Sequence, residues 1–258
     1  MADQPSYFIM TPNYTYPLPV ITRIISALLF LRHRSFRQDA LQLVSRQDPP
    51  FSILGRENIP CTGPCVITVN HYHRPGFQAW WLALGIASVI QQDMHWVITN
   101  ELTFPGDRIG FLGRPLSRWV LNRLAHIYQF TGMPPMPPRP QDVTARARAV
   151  RQVFSWLKDS RVPILGLAPE GGDNPDGSIC RPAPGAGRFG LLLAASGLRF
   201  FPVGAYEENG VFCMHFGPGY ELKPVGTMSA AEKDRLAADE IMQHIARLLP
   251  RSLRGEFG

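Results

Sequence analysis

Short apolar runs rich in β-branched and aromatic residues alternate along this chain with segments of helical periodicity. The clearest strands are predicted at 65–70, 95–99, 162–168 and 198–206. Helices are predicted between or after them at 77–90, around 117–128, at 143–158 and at 190–196. Because parallel strands need long crossover connections, this alternation predicts one α/β domain with a mainly parallel or mixed central sheet and helices on both faces.

Three further segments carry clear local signals. The Pro-rich segment 132–140 is expected to be a loop, because proline supplies no backbone donor. Ser229 and Glu232 match a capping box, which predicts the start of a closing helix. The helix at 143–158 is expected to turn its arginines to solvent and to bury an apolar stripe formed by Val143, Ala147, Val150, Phe154 and Leu157.

The composition is that of a globular protein with a basic surface. Of the 258 residues, 45% are hydrophobic and 18% are charged, which is compatible with a large core. The formal net charge is +6 and most basic residues are arginine, which favours a membrane surface or an anionic ligand. Because the chain has no recognition-helix signature, zinc finger or RNA-binding aromatic motif, nucleic acid is not expected as a partner.

The spacing of the cysteines and the lengths of the apolar runs indicate in which cellular compartment the protein is expected. The four cysteines lack the C-x-x-C spacing of a structural zinc site, and no signal-peptide pattern precedes them. We expect buried thiols in a reducing compartment, the cytoplasm, at Cys61, Cys65, Cys180 and Cys213. Polar residues interrupt the apolar run at 20–31, which is too short to span a bilayer.

Residues 1–49 are expected to form an N-terminal arm and an amphipathic helix ahead of an α/β domain at 50–258. Residues 1–17 are rich in Pro and Tyr, which predicts an irregular arm. From Val20 an apolar stripe recurs with helical spacing and ends at the basic residues Arg32, His33 and Arg34. This helix is expected either to lie in the membrane interface at the cytoplasmic face, or to dock on the protein's own core.

Two motifs suggest chemistry that their context does not support. The segment "GAGRFG" (185–190) fits a dinucleotide fingerprint, but a long intervening segment separates it from the preceding strand. His71 and His73 form an H-x-H pair, but zinc needs a third ligand, and no other histidine stands at a spacing that predicts convergence. We therefore expect neither a nicotinamide cofactor nor a metal.

Two polar loops follow two of the predicted strands. "NHYHRPG" begins at Asn70 after strand 65–70, and "PEGG" begins at Pro169 after strand 162–168. Because reactive groups in an open parallel sheet gather beyond the carboxyl ends of the strands, we expect His71 and Glu170 to share one crevice. Glycines there allow backbone N–H groups to approach a ligand oxygen, and the N-terminus of helix 77–90 adds positive potential.

These loops resemble the motifs of the glycerolipid acyltransferase superfamily, the glycerol-3-phosphate and lysophosphatidic acid acyltransferases. That family carries N-H-x-x-x-x-D after a strand, a second block ending in arginine, a P-E-G-T-R block and a V/I-P-V-G strand. Here "NHYHRPG", "LAPEGG" and "FFPVG" stand in the matching order, and the resemblance covers about residues 50–225.

The resemblance implies phospholipid biosynthesis, with transfer of a fatty acyl group from acyl-CoA or acyl carrier protein to a hydroxyl of a lysolipid or related acceptor. No cofactor is implied beyond the acyl thioester, which is a co-substrate. His71 would act as general base and Glu170 would orient the acceptor or brace the loop. The substrate-binding residues implied or inferred are Asn70, Arg74, Gly171, Gly172, Arg188 and Pro202.

The chain departs from the family pattern at the position of the motif aspartate, where Gly76 stands. A carboxylate behind a histidine fixes its tautomer, so Glu101 or Glu170 is considered as a replacement. The phosphate-binding arginines are also missing from their usual places, and Arg74, Arg139 or Arg188 is considered instead.

Two hypotheses of different classes follow from these departures. One is a peripheral membrane acyltransferase with an unusual acceptor. The other is a catalytically impaired protein of the same fold that binds lipid or acyl thioester.

Overall fold

The computed structural model describes residues 11–102, 107–136, 138–172, 174–223 and 226–258. Within them one mixed sheet of seven strands has the order β1-β7-β6-β2-β5-β3-β4, and every neighbouring pair is parallel except the antiparallel pair β6 and β7. The strands are β1 Ser52–Leu54, β2 Cys65–Val69, β3 His95–Thr99, β4 Thr131–Met133, β5 Ile164–Leu167, β6 Arg199–Glu208 and β7 Val211–Phe216.

The described α-helices are α1 Leu18–Phe30, α2 Phe36–Val44, α3 Trp80–Val89, α4 Asp107–Ile127, α5 Val143–Asp159, α6 Ala186–Ala195 and α7 Ala230–Ala246. All five residues of β2 are buried, as expected for a central strand covered on both faces. The predicted α/β class with a mixed sheet is confirmed, and each of the four predicted strands is present within two residues of its predicted ends. The Ser229 and Glu232 capping box is also present, at the start of α7.

The structure contains elements that the sequence patterns did not indicate. Helix α2 and strands β1 and β7 fall in segments left unassigned, and β4 corrects the prediction that 132–140 is entirely loop. Gly132 and Met133 pair with β3 at the edge of the sheet, where a strand needs partners on one side only. The prolines begin directly after β4, so they do not interrupt it.

The predicted faces of two helices need correction. Val143 and Ala147 are exposed, and α5 instead buries Ala149 and Val153, so its buried stripe is shifted from the predicted one. Helix α1 ends at Phe30, where Leu31 takes a left-handed conformation with φ 52°, so the basic residues 32–34 lie beyond it. Arg34 pairs with the buried Asp39 of α2.

Helix α3 starts at Trp80 rather than residue 77, so its N-terminus lies further from the His71 loop than predicted. The expectation of buried thiols holds for Cys65 and Cys213 but not for Cys61, which is exposed, or Cys180, which is partly exposed. Burial raises the pKa of the Cys65 thiol to about 12.

The N-terminal arm packs on the core of the domain. Tyr14 stacks on Trp81 of α3 with 4.9 Å between ring centroids, and the Trp81 Nε1–H donates to the Tyr16 hydroxyl at 3.0 Å. Helix α1 buries Val20 and Ala27 while Ile25 and Leu29 stay exposed. Helix α1 therefore docks on the protein's own core, which was one of the two alternatives. Its exposed apolar residues form a strip that the rest of the protein does not cover. No helix in the described part of the chain is long and apolar enough to cross a bilayer.

Candidate active site

Asn70 fixes the start of the histidine loop directly after β2. Its side-chain amide donates to the carbonyl of Ala205 at 2.9 Å and accepts from the Ala205 N–H at 2.7 Å. The side chain is almost fully buried, and it satisfies both backbone groups of a residue in β6. Asn70 was predicted to bind substrate, but in the structure its polar atoms bind the backbone and anchor the loop.

Glu170 joins the two loops that the sequence places on one edge of the sheet. Its Oε2 accepts from the backbone N–H of His71 at 2.5 Å, and its Oε1 accepts from the backbone N–H of Cys180 at 3.0 Å. His71 and Glu170 are 99 positions apart in the chain. The predicted convergence of the two loops is therefore present, while the chemical roles of the two residues stay predictions.

The electrostatics of Glu170 are set mainly by its burial. Burial raises the pKa of this carboxyl, although the N–H groups of His71 and Cys180 and a positive charge on the His71 side chain all act to lower it. The same carboxylate and burial raise the pKa of the Cys180 thiol, burial being the larger cause. The net effect is that the pKa of the Glu170 carboxyl lies above its usual value, because burial outweighs the donors that favour the ionised form.

An apolar cavity of about 200 Å³ adjoins the Glu170 loop. Pro169 and Gly171, the two neighbours of Glu170, lie in its wall together with Thr68 of β2. Further lining comes from the ends of β3, β4 and β5, from the start of β6 at Phe200, and from α5, α6 and α7, with residues such as Ile98, Met133, Leu167, Phe189 and Ile241. The cavity thus opens where the carboxyl ends of the parallel strands meet, the usual place for a ligand in this architecture.

Arg74 and Glu207 form an ion pair that holds the middle of the histidine loop. The Arg74 guanidinium donates through Nε and Nη2 to the two carboxylate oxygens of Glu207 in β6. The Tyr14 hydroxyl of the N-terminal arm donates to the same carboxylate at 2.5 Å. Arg74 was predicted to bind substrate, and the structure commits its guanidinium to this network.

The remaining predicted residues fall at different distances from the cavity. Gly171 has φ +71° and lines the cavity, whereas Gly172 lies next to it and outside the lining. Pro202 is buried in β6 beside Gly217, also outside the lining. Arg188 is exposed on α6. Gly76, at the position of the family aspartate, has φ +82°, a conformation that favours glycine and disfavours aspartate.

Glu101 pairs with two arginines. Arg118 and Arg139 both form ion pairs with it, and they lower its pKa although burial acts in the opposite direction. Arg139 also pairs with Asp142 at 2.5 Å. Glu101, considered as a replacement for the family aspartate, and Arg139, considered for phosphate binding, therefore form ion pairs within one cluster.

Helix packing explains why glycine stands in the "GAGRFG" segment. The Asp234 carboxylate of α7 accepts from the backbone N–H groups of Gly185 and Arg188, each at 2.7 Å. A side chain at Gly187 would meet the Asp234 carbonyl oxygen at 1.9 Å, so glycine allows α6 and α7 to pack closely. The donors that a phosphate would need at this helix start already bind the chain's own carboxylate.

The described histidines do not meet in a metal-binding group. Among the described residues, no three side chains of the types His, Cys, Asp and Glu are arranged to hold a metal ion. His95 is buried against Trp156 and hydrogen-bonds Thr131 at 2.8 Å, and burial lowers its pKa to about 4. His126 lies beside His33, and His244 stacks on Tyr220.

Sequence patterns missed three residues around the site: Tyr14, Glu207 and Arg146. Tyr14 meets Glu207, the partner of Arg74, only through the tertiary fold, since the two residues are 193 positions apart. Arg146 was expected to face solvent, but it lines the cavity. The predicted apolar stripe of α5 was placed on the wrong face of the helix at its start, and this is why Arg146 was expected to face solvent.

Fold and site together define an α/β protein with a mixed sheet, a buried Glu170 tied to the His71 loop, and an apolar cavity beside them. No family model matches the chain, and no curated protein matches it either. Among solved structures it is similar to the 1-acyl-sn-glycerophosphate (LPA) acyltransferase PlsC from Thermotoga maritima, with a TM-score of 0.44 and 16% identity. The likeness covers 83% of this chain and 77% of that one. At this TM-score and identity the likeness carries no weight for function.

Proposed function

We propose that this protein transfers a fatty acyl group from an acyl thioester, of coenzyme A or acyl carrier protein, to a hydroxyl of a lysolipid or related lipid acceptor. The observation that carries the proposal is the Glu170 bond to the His71 loop at the edge of an apolar cavity. An imidazole supplies a base at neutral pH, and an apolar cavity suits an acyl chain. The resemblance of the three sequence motifs points to the same reaction.

In the proposed reaction, the acceptor oxygen attacks the thioester carbonyl carbon while His71 takes the hydroxyl proton. The carbon–sulfur bond then breaks, and His71 returns the proton to the leaving thiolate. The Gly171 N–H is occupied, since it donates to the Ala168 carbonyl at 3.1 Å. We therefore assign stabilisation of the oxyanion to the Gly172 N–H and leave Gly171 the role of shaping the turn.

Glu170 acts as a positioning residue in this proposal. Its two oxygens hold the backbone at His71 and Cys180, so it fixes the loop that carries the base. The network of Arg74 and Glu207 holds the same loop from the other side. Together these contacts brace the backbone of the loop in which Gly76 stands at the position of the family aspartate.

We also propose peripheral association with an anionic membrane surface. The net charge is +6, and the strip of exposed apolar residues at the end of α1 continues to Phe30. Arg123 of α4 donates to the carbonyls of Leu28 and Leu29 and lies over the ring of the half-exposed Trp119. Apolar and aromatic groups beside arginine are the features of a helix that lies in a membrane interface.

A second candidate function is binding of lipid or acyl thioester without turnover. The observation that favours it is Gly76, because a histidine without the family aspartate is a weaker base. The cavity serves this function equally well.

One assay separates the two candidates. The purified protein is incubated with long-chain acyl-CoA and a panel of lysolipids, glycolipids and simple alcohols, beside the variants His71→Ala and His73→Ala. The enzyme proposal expects turnover that His71→Ala abolishes and His73→Ala, in the same loop, largely keeps. Binding of acyl thioester with no turnover in any acceptor contradicts it and supports the second candidate.

A further inference from the structure

Arg146 is the charged residue in an otherwise uncharged cavity wall. It extends from the first turn of α5, and of the described residues that line the cavity every other one is apolar, glycine or threonine. Burying a guanidinium beside apolar groups costs free energy unless an anion compensates it. Arg146 is half-buried, so an anion in the cavity would offset part of that cost.

The contacts that Arg146 makes within the chain are to neutral acceptors. Its Nη2 donates to the carbonyl of Pro135 at 3.2 Å, and its Nη1 approaches the sulfur of Met136 at 3.5 Å. A thioether is a weak acceptor, and neither group carries a charge. Among the described residues, no carboxylate forms an ion pair with Arg146.

The nearby carboxylates are committed to other arginines. Asp142 pairs with Arg139, and Glu101 pairs with Arg118 and Arg139. Burial lowers the pKa of Arg146, and the positive charge of Arg139 acts in the same direction, while Asp142 opposes them. Of Arg118, Arg139 and Arg146, the first two form ion pairs with Glu101 or Asp142, and Arg146, which lines the cavity, forms none with a described carboxylate.

We propose that the cavity binds an amphiphilic anion, with the Arg146 guanidinium pairing to a carboxylate or phosphate group and the apolar wall enclosing the attached chain. A planar guanidinium matches both groups through paired N–H donors. If Arg146 served only to hold the loop at Pro135, one hydrogen-bond donor to the Pro135 carbonyl would be enough, and an uncharged amide side chain could supply it. The use of arginine here is explained by a charged ligand.

Calorimetric titration of the full chain with decanoate, decyl phosphate and decanol tests this assignment. The three probes share one chain and differ in the head group. The variants are Arg146→Gln, which removes the charge, Arg146→Lys, which keeps it, and Arg148→Gln as the matched control on the exposed side of the same helix. Decanol binding reports whether the cavity is intact in each variant.

The expected result is that the wild type binds at least one of the two anions about tenfold more tightly than decanol, as a charge-assisted hydrogen bond provides. Arg146→Gln loses this preference and retains decanol binding, Arg146→Lys keeps part of the preference, and Arg148→Gln keeps all of it. Which anion is preferred distinguishes a phosphate headgroup from a free carboxylate. Equal binding of all three probes, a preference that survives Arg146→Gln, or no binding of any probe overturns the proposal.

That such anions are substrates or products of this protein rests on the proposed function. That the cavity binds them does not depend on it. If turnover is never found and the Arg146-dependent preference persists, the proposed acyl transfer fails and the anion site stands. If turnover is found without the preference, the anion site fails alone.

Discussion

Asn70 shows how one buried side chain can fix a loop that carries chemistry. Its amide is bound on both sides by the backbone of Ala205, so removal leaves a buried N–H and a buried carbonyl without partners. We expect Asn70→Ala to lower the free energy of unfolding by about 3 kcal/mol, the sum of two such losses.

The check is urea unfolding followed by tryptophan fluorescence. Asn122→Ala, on the exposed surface of α4, is the control and should change the free energy of unfolding by less than about 0.5 kcal/mol. Similar losses in both variants would mean that the Asn70 contacts do not anchor the loop.

Some site residues could be predicted from the sequence and others could not. His71 and Glu170 each follow an apolar strand, and the rule that strand ends carry reactive loops was enough to bring them together. Tyr14 and Glu207 have no local pattern, because their contact depends on how the arm packs on the domain. Gly76 was read as a loss of the motif aspartate, and its positive φ adds that the turn itself favours glycine.

At the scale of elements, the irregular N-terminal arm has a direct link to the site. Residues 11–17 run beside α3, and the Tyr14 hydroxyl reaches the Glu207 carboxylate that holds Arg74. We expect Tyr14→Phe to loosen the histidine loop, because Glu207 loses one of the donors that fix its orientation. Amide hydrogen exchange at residues 71–76 should become faster.

Tyr16→Phe is a matched control for this prediction. It removes a hydroxyl of the same arm that accepts from Trp81 and does not contact Glu207. Exchange at 71–76 should stay at the wild-type rate in this variant. Equal acceleration in both variants, or none in Tyr14→Phe, would contradict the link.

The strands were easier to predict than the helix faces for a physical reason. The central strands are buried on both sides, so each leaves a continuous apolar run such as residues 65–69. The short edge strands β1 and β4 have three residues each, too few to show a period. In α5, alanines and arginines alternate so closely that the apolar stripe had more than one possible register, which is why Arg146 was misplaced.

For the whole molecule, the exposed apolar strip at the end of α1 is the surface proposed to bind a membrane. Helix α1 is docked on the domain by Val20 and Ala27, while Leu29 and Phe30 remain exposed. We expect Leu29→Glu together with Phe30→Glu to reduce sedimentation with anionic vesicles strongly, because two carboxylates must then enter the interface.

Leu192→Glu, at a half-exposed position on α6, is the control and should sediment as the wild type does. Binding by the wild type should also weaken as salt is raised, since part of the attraction is electrostatic. Unchanged sedimentation of the double variant would remove α1 from the membrane-binding surface.

The Glu170 carboxylate and the loop of His71 belong to one site. The most direct measurement is the pH dependence of the backbone amide signals of His71 and Cys180 in ¹H–¹⁵N NMR spectra. Burial raises the pKa of Glu170, so both amide protons should shift together in one step centred above pH 4.5, the usual value for this side chain. Glu170→Gln should lack that step at both residues. Amide signals that do not share a step, or a step that survives in Glu170→Gln, would contradict the account.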